Sequence, residues 1–130
     1  MAVSFTYDND NHLIRGVMTD RFDASRFKSV MTEIASGTNF APATAAIWDM
    51  REFDFHHFDS ELAQNISNIK GKLSSRQGAL VAYIVPNDLG YGLMRMFQLM
   101  SDTEHESMVF LDYDKGLEWL ILKVNEQQDK

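Results

Sequence analysis

Residues 79–85 are Ala-Leu-Val-Ala-Tyr-Ile-Val, an unbroken apolar run that ends at Pro86 and is followed by Asn87 and Asp88. An apolar run of this length, bounded by a turn signal, is typical of a strand that is buried on both faces. Asn87 or Asp88 can cap the methionine-rich helix that follows. The sequence therefore predicts one β/α unit of an α/β fold, with this strand at or near the centre of the sheet.

The remainder of the chain alternates between strand patterns and helix patterns. The predicted strands are Val3 to Tyr7, His12 to Met18, Ala43 to Asp49, Ala79 to Val85 and Met108 to Leu111. The predicted helices begin at Asp23, near Ser60, at Asn87 or Asp88, and at Asp112 or Asp114, and Gly37 and Gly78 follow the first two. The order β, β, α, β, α, β, α, β, α predicts a five-stranded, mixed, mostly parallel sheet with its first strand antiparallel at an edge.

Composition limits the class of protein. A chain of 130 residues with 45% hydrophobic content fits a single domain, which we place at residues 1–124, with a polar, frayed tail at residues 125–130. The absence of cysteine excludes disulfides and suits a reducing cytoplasm. The N-terminus lacks signal-peptide features and no apolar run approaches the ~20 residues of a membrane span, so we expect a soluble protein. The formal charge of −7 disfavours nucleic-acid partners.

The element order resembles the SpoIIAA-like fold of STAS domains, and several local segments resemble uncharacterised bacterial STAS/SEC14-like proteins. The segments that carry the resemblance are Leu13-Ile14 with Gly16 and Thr19, residues 48–52, residues 86–92, Arg95-Met96-Phe97, Val109-Phe110 and residues 117–120. The resemblance implies a SpoIIAA-like fold with a non-enzymatic role, and it carries over no established catalytic residue. It also implies helices collected on one side of the sheet. The sequence shows no specific cofactor motif, so we expect no cofactor.

Ser60 is a candidate phosphorylation site by this resemblance. STAS domains of the anti-sigma-factor antagonist type carry a phosphorylatable serine, within Asp-Ser-x-Gly, at the start of the helix after the third strand. Asp59-Ser60 lies near that point, although Glu61-Leu62 follows and the expected glycine is missing. Two interpretations stay open: a phospho-switch favoured by the helix dipole, or simple capping of the helix by Asp59 or Ser60, which the residue types favour.

His56 and His57 raise the alternative of a metal-dependent hydrolase. Imidazole and carboxylate groups bind divalent metals, and Asp54 and Asp59 flank the two histidines. Adjacent histidines converge poorly, however, and the sequence shows neither HxH nor HExxH spacing nor a distant third ligand. We therefore assign no metal site and no catalytic residue.

The connection after the third strand also carries Phe53, Phe55 and Phe58, which can simply close the core. Ligands of open α/β sheets bind beyond the carboxyl ends of the strands, where this connection and the helix after Pro86 should meet. We therefore predict a non-catalytic binding or regulatory module. Its apolar or amphipathic small ligand, or a protein partner, would bind a pocket lined by Phe53, Phe55, Tyr91 and Met94.

Two further expectations concern surfaces. Asp49 and Arg51 lie two residues apart at a strand end, which predicts an ion pair that braces the following loop. The methionine-rich helix carries more apolar positions than one buried stripe requires. Together with a sheet face left uncovered, this predicts a homodimer with Met96 and Met100 or that sheet face at the interface.

Overall fold

The chain folds into one sheet with helices on both faces, in a computed structural model that describes residues 3–36, 40–41, 44–71, 79–100 and 106–128. The strands are β1 (Val3–Asp8), β2 (Leu13–Asp20), β3 (Ala46–Phe53), β4 (Leu80–Ile84) and β5 (Glu106–Phe110). The helices are α1 (Ala24–Ser36), α2 (Ser60–Gly71), α3 (Asp88–Met100) and α4 (Tyr113–Gln128), with a turn of 3-10 helix at Phe55–His57. This order agrees with the prediction.

The sheet is mixed and its strands follow chain order, β1-β2-β3-β4-β5. β1 and β2 form an antiparallel hairpin, and every later neighbour pairs in parallel. The connecting turn is held by Asp8, whose carboxylate accepts hydrogen bonds from the backbone N–H groups of Asp10 and Asn11. The predicted hairpin and the antiparallel edge strand are thus confirmed.

β4 lies between β3 and β5, and its five side chains are all buried. Successive side chains of a strand point to opposite faces, so β4 contributes to two separate cores. Val81 and Tyr83 pack in the larger core with α1, α2 and α3, whereas Leu80, Ala82 and Ile84 pack in the smaller core with Leu120 of α4. The predicted buried strand, next to the centre of the sheet, is confirmed.

The position of α4 corrects one expectation. Three helices do collect on one face, but α4 covers β3, β4 and β5 on the other. Gly116 allows this close packing, because a Cβ at that position would overlap Cδ1 of Ile84. This part of the second face is therefore dry within the single chain, and the argument for a partner at an open sheet face is wrong here.

Short polar side chains cap three of the helices, as predicted. Asp23 Oδ1 accepts a hydrogen bond from Arg26 N at 3.0 Å, Asn87 Oδ1 accepts one from Gly90 N at 3.0 Å, and Asp112 Oδ1 accepts one from Lys115 N at 3.2 Å. Each bond satisfies a backbone donor that the first turn of a helix leaves without an intrahelical acceptor.

Several boundaries differ from those predicted. β3 begins at Ala46 and continues to Phe53, because the end of β2 continues beside it and pairs Asp20 with Phe53. α4 runs to Gln128, into the predicted tail, because residues 125–128 contain neither glycine nor proline to stop it. Gly37 and Gly78, which follow the first two predicted helices, lie outside the described residues. No helix in the described ranges combines the length and apolar character of a membrane span.

Candidate functional site

A cavity of about 30 Å³ lies between the sheet and the layer formed by α1, α2 and α3. Its walls are almost entirely apolar. They comprise Met18 of β2, Phe27 and Met31 of α1, Trp48 and Met50 of β3, Phe58, Ile66 of α2, Tyr83 of β4, and Met94 and Phe97 of α3. All ten side chains are buried. The cavity therefore belongs to the larger core and lies beneath the carboxyl-terminal halves of β2 and β3.

The local sequence explains why these side chains converge. Trp48 and Met50 are two residues apart on β3, so both point to the face covered by α1, α2 and α3. Gly16 of β2 pairs with Trp48, and a Cβ at Gly16 would overlap the indole ring. The absence of a side chain at Gly16 therefore lets the indole lie against β2 and form one wall of the cavity.

Methionine is the characteristic residue of this cavity. Met18, Met31, Met50 and Met94 line it, which is four of the eight methionines in the chain. A methionine side chain is unbranched and has three rotatable bonds, so it adapts its shape to a neighbour. A void needs roughly 10–15 Å³ to hold a water molecule, so this cavity is small. Any ligand larger than a few atoms must displace methionine side chains.

The four predicted pocket residues do not all line this cavity. Met94 lines it, but Phe53 and Phe55 pack with Phe58 in an aromatic cluster, with ring centroids 4.9 to 6.3 Å apart. Phe55 is only 4% exposed. Tyr91 is 39% exposed and lies outside the cavity lining. Phe53 and Phe55 thus have the core-closing position that was the alternative interpretation, and Phe58 connects their cluster to the cavity wall.

A second, polar pocket of about 270 Å³ opens at the protein surface. It lies where β2 and β3 end and α2 begins. Its walls are Arg21 and Phe22 after β2, Asp54, His57 and Asp59 after β3, and Glu61, Leu62 and Asn65 of α2. This polar pocket is therefore at the carboxyl ends of parallel strands, the position at which α/β folds commonly bind ligands.

In this polar pocket the imidazole of His57 lies between the carboxylate of Asp54 and the guanidinium of Arg21. Its Nδ1 lies 2.7 Å from Asp54 Oδ2, and its Nε2 lies 2.8 Å from Arg21 Nη2. An arginine side chain has donors but no acceptor, so Nε2 of His57 must accept and Nδ1 must carry the proton. The hydrogen bond from His57, more than any other contact, lowers the pKa of Asp54 from its ordinary value.

The connection between β3 and α2 gives little support to a metal site. His56 is exposed, and the carboxylate of Asp54 binds both His57 Nδ1 and the backbone N–H of His56. No group of three or more histidine or acidic side chains in the described part of the chain is arranged to hold a metal ion. The geometry of this connection therefore does not favour the metal-dependent hydrolase.

Ser60 is the first residue of α2, as the resemblance to STAS domains implies. Asp59 precedes it and caps the helix, with Oδ1 accepting a hydrogen bond from Leu62 N at 2.9 Å. The capping role is therefore confirmed for Asp59. Phosphorylation of Ser60 stays a prediction.

On the opposite face of the sheet, the predicted ion pair of Asp49 and Arg51 is confirmed. Arg51 Nη2 lies 2.8 Å from Asp49 Oδ2, and the hydrogen bonds from Arg51 lower the pKa of Asp49. The guanidinium of Arg51 also lies 5.2 Å from the ring centroid of Tyr113, whose hydroxyl accepts a hydrogen bond from Arg15 Nη1 at 3.0 Å. These contacts tie β2 and β3 to the start of α4.

Sequence reasoning missed most of the cavity lining and, in the polar pocket, Arg21, Phe22 and Asn65. Met18 and Met50 follow strand periodicity, which could have placed them on one buried face. Arg21 gives no such signal, because its contact with His57 joins residues far apart in the chain and depends on how β2 and β3 end together.

Comparisons with known proteins support the fold. A solved structure of an uncharacterised protein of the DUF3478 family from Shewanella loihica PV-4, described as having a SpoIIAA-like fold, superimposes with a TM-score of 0.63. The match covers 92% of each chain at 19% identity. No protein-family profile and no curated protein matches this chain. At this identity the likeness establishes the SpoIIAA-like fold and nothing finer.

Proposed function

We propose that this protein is a non-catalytic binding module that takes a small apolar or amphipathic ligand into the methionine-lined cavity. The observation that supports this most directly is the convergence of four methionines with aromatic side chains beneath the carboxyl ends of β2 and β3. Binding pockets are mostly apolar and lie at this end of α/β sheets. Methionine-rich surfaces are also common where a protein accommodates variable apolar partners.

The cavity walls restrict the chemistry of the ligand. Among the described residues, no Asp, Glu, Lys, Arg or His lines the cavity, so a charged group placed there would lose its hydration without a compensating partner. The part of the ligand that occupies the cavity is therefore uncharged. Because the volume is about 30 Å³, we expect short or flexible apolar chains to enter by displacing methionine side chains rather than bulky rigid rings.

Methionine methyl groups provide the test. In protein labelled with ¹³C at the methionine methyls, a titration with neutral straight-chain alkanols of increasing length should shift the signals of Met18, Met31, Met50 and Met94. Met108 of β5 is 39% exposed and lies outside the cavity, so its signal serves as the internal reference. Equal shifts at Met108 and at the cavity methionines, or no saturable shifts at all, would contradict the proposal.

A pair of matched variants separates cavity binding from surface adsorption. Met50→Phe fills the cavity and should weaken alkanol binding by roughly tenfold, the effect of changing pocket volume by about one or two methylene groups. Met108→Phe makes the same change at another strand residue outside the cavity and should leave affinity unchanged. An equal effect of both variants would place the alkanols outside the cavity.

A phospho-switch at Ser60 is the second candidate function, because α2 begins at this residue and the free N–H groups of a first helical turn favour a phosphate. The nearby carboxylates of Asp59 and Glu61 oppose a phosphate. Mass spectrometry of the intact protein from its native cells would detect the modification, and Ser60→Ala would remove it.

A homodimer remains the proposed assembly, with the outer side of α3 at its interface. Met96 is partly buried against the core, and the side chain of Met100 lies outside the described residues. Leu99, in contrast, is 84% exposed, and Leu89 and Tyr91 of the same helix are also exposed. Exposed apolar groups on one helix favour a protein contact.

A further inference from the structure

The polar pocket and the methionine-lined cavity are neighbours separated by one layer of side chains. Phe22 of the polar pocket packs against Phe27 of the cavity wall, with ring centroids 5.3 Å apart. His57 of the polar pocket directly precedes Phe58 of the cavity wall. On α2, Leu62 and Ile66 are one helical turn apart, the first in the pocket and the second in the cavity.

One side-chain hydrogen bond links the two connections that form this layer. Arg21 directly precedes Phe22, and His57 directly precedes Phe58, so the bond from Arg21 Nη2 to His57 Nε2 joins the backbone segments that carry both rings. The backbone bond from Asp54 N to Asp20 O, 2.8 Å long, fixes the base of the same two connections. The Arg21 and His57 side chains therefore form the outer link, farther from the sheet.

We propose that the polar pocket is the route into the methionine-lined cavity, and that the Arg21–His57 hydrogen bond keeps this route closed until His57 gains a proton. A neutral imidazole accepts from Arg21 through the lone pair on Nε2. An imidazolium carries a hydrogen on that nitrogen, so two cationic donors would face each other and the bond would break. This regulation rests on the proposed function as a binding module.

The charged groups around His57 agree with such a switch. Asp54 is bonded to Nδ1 and stays a partner after protonation, when the bond becomes charge-assisted. Asp59, from the connection before α2, and Glu61, from α2 itself, line the same pocket and also favour a positive imidazole. Arg21, from the connection after β2, is the cationic side chain among the pocket walls. Protonation therefore breaks the hydrogen bond from Arg21 while His57 stays attached to Asp54. The remaining side-chain contact of Arg21 with the connection after β3 is its exposed ion pair with Asp54, with Nε 4.0 Å from Oδ2, and exposed ion pairs contribute little.

Oxidation of the cavity methionines by hydrogen peroxide, followed by peptide mass spectrometry, tests access without requiring any ligand to bind. Between about pH 8 and about pH 5, where histidine side chains change charge, oxidation of Met18, Met31, Met50 and Met94 should become about three- to tenfold faster relative to exposed Met108. The protection factors of the β4 amides, which correct for the pH dependence of intrinsic exchange, should not fall in parallel, and this separates local opening from global unfolding.

Variants identify the group responsible. His57→Gln keeps an acceptor for Arg21 but does not titrate, so its oxidation rate should not depend on pH over this range. In Arg21→Gln, the cavity methionines should be oxidised at both pH values at the faster rate that the wild type shows at about pH 5. His56→Gln changes the adjacent exposed histidine and should behave as the wild type. Because His57 and Arg21 are more than half exposed, these variants should fold.

Equal oxidation rates at the two pH values in the wild type, or an acceleration that persists in His57→Gln, would overturn this inference. A failure of alkanols to shift the cavity methionines would contradict the proposed function but leave the oxidation result, and so the access route, standing. The two experiments thus fail independently.

Discussion

Two glycine-to-alanine substitutions in helices should differ in their effects on stability. Gly92 of α3 is exposed, and a Cβ there would meet no atom within 4 Å. Alanine favours a helix interior over glycine by about 0.8–1 kcal/mol, so Gly92→Ala should raise the free energy of unfolding by about 0.5–1 kcal/mol.

Gly116 of α4 gains the same helix propensity but loses more by packing. Its new Cβ would overlap Cδ1 of Ile84 and approach the Phe110 ring to 3.1 Å. Ile84 is fully buried, so its side chain has little space in which to move. Overpacking of a core costs typically 1–3 kcal/mol. Gly116→Ala should therefore be neutral or up to about 2 kcal/mol less stable than the wild type.

The difference between the two variants, about 1–3 kcal/mol, measures the packing of α4 on β4 because helix propensity cancels. Urea denaturation followed by far-ultraviolet circular dichroism gives both free energies, with Gly92→Ala as the matched control. If Gly116→Ala were as stable as Gly92→Ala, α4 would not lie as close to Ile84 as described, and the assignment of the second core would be refuted.

Three further predictions concern the core, the hairpin and the surface. Phe55→Ala should lower the free energy of unfolding by about 3–5 kcal/mol in chemical denaturation, because the ring is buried. An unchanged free energy of unfolding would indicate that Phe55 serves binding instead of the core. The hydrogen bond from the Asn11 side chain, together with Arg15, lowers the pKa of Asp8 from 3.8 to about 2. The ionised Asp8 therefore stabilises the folded protein above pH 3.8, and this contribution is lost as the pH falls toward 2. Asp8→Asn should cost about 1 kcal/mol at neutral pH and flatten this acid-induced loss, which thermal melting across pH would show. Leu99→Glu should produce a monomer in light scattering over a dilution series, whereas a wild type that is already monomeric at high concentration would remove the proposed interface.

The sequence was sufficient for most of the fold. The apolar run of β4 and the polar caps at Asp23, Asn87 and Asp112 are local signals, and each identified an element or its start correctly. The side of the sheet taken by α4 was not predictable in this way. It depends on Gly116 meeting Ile84 across more than thirty residues of chain, which no local pattern records.

The candidate site was less predictable for a related reason. Phe53 is the last residue of β3 and Phe55 lies in the turn that follows, and both are buried because this turn folds back over the core. In the sequence, aromatic residues near the end of a strand give the same pattern as a binding surface. The expectation of an apolar region near the carboxyl ends of the strands led to Met94 but not to Met18 or Met31. Those residues join the cavity only through the packing of α1 on the sheet.

The second face of the sheet is covered by α4, and this has a consequence for folding during synthesis on the ribosome. α4 is made after the strands that it covers, and within the described residues it is the helix that shields Leu80, Ala82 and Ile84 on that face. Until residues 113–128 leave the exit tunnel, β3 and β4 can pair but would present one apolar face to water and to other nascent chains. Productive folding therefore waits for α4, and we expect a chain that stalls before residue 113 to be a substrate for chaperones.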